Sequence, residues 1–226
     1  MFGVPRRVFW AHVSWLRARL GRARGARVAR FGGYAVLGTF AGCAVALRSI
    51  DGPTAAIEGY VVLAARASAW LCGGLVALSA ANQRAWTDRR DGVEILAAMR
   101  GVRGRALEVA RFASVALEIA RSTLVAPWGV GLLAVALAGS ASSALSRALV
   151  LLSVTLFALV EGAVVGAVAY ALDRLRPAGA RGLLVAVVVL PWALLDLIGA
   201  PGLSVPGFMS GVLGVALRVI GMGRLA

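Results

Sequence analysis

A chain of 226 residues that is 60% hydrophobic and only 15% charged, yet carries a formal net charge of +14, is not composed like a soluble domain; in those about a quarter of residues are charged. Several apolar runs approach or reach the roughly 20 residues a helix needs to cross hydrocarbon. The gaps between them leave no room for a soluble domain of about 100 residues. The expectation is an all-α integral membrane protein with one transmembrane domain over 1–226 and about six spans. Nucleic-acid binding, the other reading of a basic chain, is disfavoured because the arginines follow membrane topology.

Charge sets the orientation. All 24 basic residues are arginine. Nineteen fall in residues 6–30, 84–105 and 174–181 and at Arg218 and Arg224, whereas Arg48 and Arg147 alone fall in the alternate loops. Arg66, Arg111 and Arg121 lie inside helices or at their ends. The positive-inside rule then puts both termini and the 84–105 segment in the cytoplasm.

Residues 1–30 carry Phe9, Val13, Leu16 and Leu20 on one stripe, with arginines around the rest and Trp10 and Trp15 flanking. That pattern predicts an interfacial helix in the headgroup plane, an elbow into the first span. A signal peptide is disfavoured, because no apolar core with a small-residue cleavage site follows Arg6 and Arg7 promptly. His12, the only histidine, reads as a plain interfacial residue, since a metal or haem site needs several convergent ligands. Span one is expected over 31–47 and span two over 59–81, with an outer loop holding Asp51 and Pro53 between them.

The 84–105 segment is the longest polar interval between apolar runs. Read as a helix it takes Asp88 as N-cap and Asp91 in its first turn, where a carboxylate suits the dipole. Val93, Ile95, Leu96, Ala97 and Met99 fall on one broad arc, with Arg90, Asp91 and Glu94 opposite. Gly101 and Gly104 are its expected stops. The apolar arc is expected to seat against the spans.

Residues 107–121 continue into apolar 122–138 as one long helix whose cytoplasmic third is amphipathic; Glu118 and Arg121 are candidate intramembrane polar residues on it, and Pro127 is a candidate kink. A small polar outer loop, 139–146, precedes span four at 147–172. Span five, 182–198, contains Pro191. Span six, 206–220, is the shortest, and the last two spans could form a shallower pair or include a re-entrant piece.

Absences narrow the chemistry. A Walker A loop requires a lysine, so this chain cannot itself carry that ATP site. No histidine reaches a span, which excludes a serine–histidine intramembrane protease. Asp91-Gly92 begins like a phosphatidyltransferase signature, but the residues that signature needs downstream are missing. Cys43 and Cys72 lie at depths differing by about 8 Å, which disfavours a disulfide and makes them packing residues. Arg66, Glu161 and Asp196 would be costly facing lipid, so each needs a partner or a wet cavity. Helical rise places Arg66 about 10 Å, Asp196 about 3 Å and Glu161 about 21 Å below the outer boundary, so Arg66 reaches Asp196 more easily than Glu161. Gly38/Gly42, Gly162/Gly166 and Gly207/Gly211 repeat a spacing that lets helices approach closely.

Six spans with both ends inside, an amphipathic leader and an acidic–glycine–apolar helix after span two resemble the permease subunits of type-2 ABC exporters. The size and the run Arg90-Asp91-Gly92-Val93-Glu94-Ile95-Leu96 look most like the CcmB-type haem-exporter permease of cytochrome c maturation. The stretch Arg181-Gly182-Leu183-Leu184 through Leu190-Pro191 to Leu194-Leu195 is similar to the fifth span of those proteins. Arg100-Gly101 stands where a proline is common in that family. The resemblance implies a multi-pass protein of the bacterial inner membrane that pairs with a second permease subunit, identical or not. Each subunit would dock a separate ABC ATPase subunit, which holds the ATP and Mg; this chain would bind no cofactor. Docking would use Asp88, Arg89, Arg90, Asp91, Gly92, Glu94, Leu96 and Arg100 as a coupling helix. Two other classes remain: a non-transporting membrane scaffold or assembly subunit, and a secondary transporter, which is expected to show inverted repeats and is disfavoured because the sequence shows no convincing internal repeat.

Overall fold

The computed structural model describes residues 4–49, 54–82, 84–138, 140–197 and 205–219. The outer loop expected at Asp51 and Pro53 lies outside them. The described chain is all helical, without a strand. In order it forms α1 (Arg6–Gly21), α2 (Arg24–Ser49), α3 (Thr54–Ser68), a π-helical turn (Ala69–Gly73) and α4 (Gly74–Ala80). Two short helices follow, α5 (Arg84–Arg90) and α6 (Val93–Met99), and then α7 (Arg105–Ala136), α8 (Ala141–Leu175), α9 (Ala180–Leu197) and α10 (Val205–Val219). Four stretches are long and apolar enough to cross a membrane: Arg24–Ser49, Ala56–Ala80, Arg105–Ala136 and Ser142–Leu175. That count fits a membrane protein. It is four among the described residues where six were expected, with Gly207–Val219 apolar but shorter.

The bundle is built on α7 and α8. Gly162 and Gly166 of α8 face Ala116 of α7 so closely that a Cβ at Gly162 would strike the Ala116 carbonyl. In lipid, where apolar faces gain little from leaving water, such close approach is what holds helices together. Gly38 and Gly42 of α2, at the same spacing, face open space. One apolar cluster joins α2, α3, α7, α8 and α10 through Ala44, Ile57, Val61, Val130, Val154 and Leu213. A second, nearer the arginine-rich end, joins α2, α4, α7 and α9 through Ala26, Val76, Ile119 and Leu184. Pro127 sits buried within α7, which runs on past it.

Three local expectations change. The Ser140 hydroxyl accepts from the Ser143 N–H and the Ser143 hydroxyl receives the Ser140 N–H, a reciprocal cap that starts α8 at Ala141. Arg147 therefore leaves the expected outer loop for the interior, where it donates to the Ala134 carbonyl. The stripe on α1 faces protein: Val13 and Leu16 pack with Val93 of α6 and Ala110 of α7. Cys43 and Cys72 are both free, and Cys72 is buried, but Cys43 is exposed and fills no packing role.

Candidate functional site

The expected helix from Asp88 is two helices. Asp91 N–H reaches the Thr87 carbonyl (2.9 Å) and Gly92 N–H the Arg89 carbonyl (3.2 Å), which ends α5. Gly92 then takes φ 68°, a left-handed conformation that favours glycine, and Leu96 N–H bonds its carbonyl to begin α6. Asp88 is thus no N-cap; it lies in the last turn of α5. At the other end Val102 N–H bonds the Ala97 carbonyl (2.9 Å) and Gly101 N–H the Ala98 carbonyl (3.0 Å), with Gly101 at φ 78°. This is a Schellman ending, and Ala97 packs with Val102 beneath it. Gly104 serves as the N-cap of α7 rather than a stop for α6.

Ion pairs fasten this hairpin to the bundle. Asp88 is 1% exposed, with Arg111 Nε of α7 at 3.4 Å and Arg19 Nε of α1 at 3.7 Å. Arg111 also donates to Glu94 (3.2 Å) and Glu108 (3.1 Å), so one buried guanidinium serves three carboxylates. Glu108 in turn receives the Tyr170 hydroxyl and Arg174 of α8. Arg19 donates to Asp91, with Arg90 adding, and this holds the Asp91 carboxyl below its usual range. Glu94 lies 3.7 Å from exposed Arg89. Helices α1, α5, α6, α7 and α8 are therefore joined by one connected set of charges.

His12 sits inside this root and not at an interface. It is fully buried against Trp15 (ring centroids 5.5 Å apart), and neither ring nitrogen has a hydrogen-bond partner among the described residues. Burial, then the Arg100 and Arg111 charges, push its pKa below the usual value, against a smaller pull from Asp88. Arg100 lies over the Trp15 ring at 5.8 Å.

The apolar arc of α6 does not seat as a whole. Val93 and Ala97 are buried, but Ile95, Leu96 and Met99 are 68%, 42% and 79% exposed. At about 100° per residue the arc covers roughly 200° of the helix, too much for one contact, so the bundle takes one edge and the rest points outward.

Within the spans, Glu118 is buried between Arg17 of α1 (3.7 Å) and Arg121 (3.6 Å). Arg66 and Glu161 line one cleft of about 330 Å³ between α3, the π-turn, α4, α8, α9 and α10. The side chain of Asp196 lies outside the described residues, and with it the expected pairing to Arg66. Sequence reading missed Glu58, which is buried and accepts from Ser146 (2.6 Å), and the Glu108–Tyr170–Arg174 group. For the latter a signal existed: Glu108 and Arg111 stand three apart, Tyr170 and Arg174 four apart, each pair on one helix face. No group of three His, Cys, Asp or Glu suited to a metal occurs among the described residues. Compared with known protein families, curated proteins and solved structures, the chain matches none.

Proposed function

We propose that this chain is the membrane-spanning permease subunit of an ATP-driven ABC exporter, with α5–α6 as the element that receives the motion of a separate ATPase subunit. The observation that carries the reading is the build of that hairpin: an outward apolar tip at Ile95, Leu96 and Met99 on a root ion-paired to α1 and α7, and through Glu108 of α7 to α8. A tip of this kind suits a partner's cleft, because burying such side chains favours association by about 1.5–3 kcal/mol each before the costs of ordering. The root suits force transfer, because a push on α6 meets Arg111 of α7 through Glu94 and then α8 through Glu108. Arginine distribution supports a cytoplasmic location for the hairpin and both termini in a six-span arrangement of the bacterial inner membrane. The layout's likeness to type-2 exporter permeases supports pairing with a second permease subunit, with ATP and Mg held by the ATPase.

This reading revises the expected contact set. Arg89, Arg90, Leu96 and Arg100 stay exposed at the docking face, joined by Ile95 and Met99. Asp88 belongs to the root, and Asp91 and Glu94 bridge the two. Tagged chain purified in mild detergent is expected to bring down a Walker-containing ATPase, and Ile95→Asp with Met99→Asp to lose it while the chain still elutes as a single species. Recovery of the wild-type chain with no ATPase, or an ATPase retained by the double variant, overturns the assignment and leaves the scaffold or secondary-transporter class.

A further inference from the structure

The cleft between α3, the π-turn, α8, α9 and α10 contains a buried acid that the coupling hairpin does not explain. Its volume, about 330 Å³, is that of a small-molecule site. Its lining is apolar, with Leu75, Phe157, Val165, Leu184 and Val188 among its walls and Trp70 at its side. Glu161 also lines it, and this side chain is 4% exposed. One carboxylate oxygen, Oε1, lies with the Thr123 hydroxyl against Gly73, close enough that a Cβ at Gly73 would strike both. The other, Oε2, has no hydrogen-bond partner among the described residues. No described arginine ion-pairs with Glu161, although Arg66 lines the same cleft. Arg66 stands seven residues before Gly73, about 10 Å along the helix from the level of Glu161.

Depth limits the occupant. Glu161 is at least about 20 Å from either end of the 35-residue α8. A phospholipid headgroup stays at the interface, so its ammonium does not sit at that depth. A buried carboxylate with an open oxygen in an apolar wall is costly alone and becomes favourable when a cation enters with it. Aromatic walls favour the same class of ligand, since ring faces attract cations. The π-turn contributes Ala69, Trp70 and Leu71 to the cleft lining, and such turns recur where helices build sites.

We propose that this cleft binds a small apolar organic cation, with Glu161 as its counter-charge. As a statement about cargo this rests on the permease reading; as a statement about binding it requires no ATPase, so the two can fail separately.

The test uses two ions of one shape and opposite charge, tetraphenylphosphonium and tetraphenylborate. Equilibrium dialysis against the full chain in zwitterionic nanodiscs, with empty discs subtracted, reads both. Saturable tetraphenylphosphonium binding is expected, at least tenfold tighter than tetraphenylborate. Glu161→Gln is expected to weaken it tenfold or more. Val188→Trp, which fills the cleft and leaves Glu161 itself in place, is expected to abolish it. If Glu161→Gln does not fold, the charge preference of the wild type and the Val188→Trp variant decide alone. Equal binding of the two ions would mean a crevice that does not read charge, and a preference for tetraphenylborate would make Arg66 the reader. No saturable binding above empty discs would leave the cleft to an acyl chain or a second copy. Each of these three results, or unchanged affinity in Glu161→Gln, overturns the proposal.

Discussion

Arg111 fixes the geometry of the arginine-rich end. Its separations from Asp88, and those of Arg19, are 3.4 and 3.7 Å, longer than an ordinary hydrogen bond, so Coulomb attraction does most of the holding there. Removing one member of a buried pair generally costs about 3–5 kcal/mol, because the other charge stays behind in a poor solvent. His12 shares that site and reports on it. Its folded pKa lies below the unfolded one, through burial and the facing charges of Arg100 and Arg111, with Asp88 opposing. Between those two pKa values the unfolded chain binds more protons, so stability rises with pH there. The contribution of neutral His12 is complete above about pH 6.5, the unpaired value, and is lost as pH falls toward the folded pKa. A His12→Phe variant keeps a ring against Trp15 and cannot titrate. Thermal unfolding in detergent should therefore show the wild type losing stability relative to His12→Phe as pH drops from 7 to 5. Parallel curves for the two proteins across that range would mean that His12 charges freely and that the root admits water.

Elements were legible where one helix carries its own signal. The long helices α7 and α8 follow from runs of apolar residues too long to be anything else in lipid, and reading 107–138 as one helix anticipates Arg105–Ala136. The 84–105 segment was readable in composition but not in form. Asp88 has the chemistry of an N-cap, yet Gly92 four residues later allows the left-handed turn that splits the segment, and the arginines that bury Asp88 come from α1 and α7. Periodicity sees one helix at a time, so contacts at such separations, including Arg19–Asp91, leave no mark on it. The π-turn at Ala69–Gly73 is equally silent, since its residues continue the same apolar run. The small-residue spacing of Gly162 and Gly166 was readable, and its partner was not. That partner is Ala116, and the contact is testable: Gly162→Val drives a branched side chain into the α7 backbone. Overpacking of this kind costs about 1–3 kcal/mol. The melting temperature in detergent should fall accordingly, whereas Gly38→Val on the open face of α2 should leave it nearly unchanged. Equal losses at the two sites would mean that α2 is covered and that α7 and α8 are looser than they stand here.

At the scale of the whole molecule the arginines and the helices give one answer. Burial of Arg147 within α8 takes it out of the outer loops, so of the two arginines assigned there only Arg48 remains exposed, against nineteen assigned to the other side. The 32 residues of α7 rise about 48 Å, more than the roughly 30 Å of hydrocarbon, so where α7 crosses a bilayer its two ends emerge on opposite faces. Met99, just before α7, and Ser142, in the first turn of α8, are exposed at those opposite ends. A chain freed of its own thiols by Cys43→Ser and Cys72→Ala can therefore report its orientation through single cysteines at these two positions. With a membrane-impermeant maleimide, Ser142→Cys should label in intact cells, and Met99→Cys only after the membrane is opened. The reverse pattern would put the α5–α6 hairpin outside, where no ATP-driven partner could reach it, and would remove the basis for the exporter reading at once. Labelling of both positions in intact cells would mean that α7 does not cross, a result that the apolar length of Arg105–Ala136 argues against.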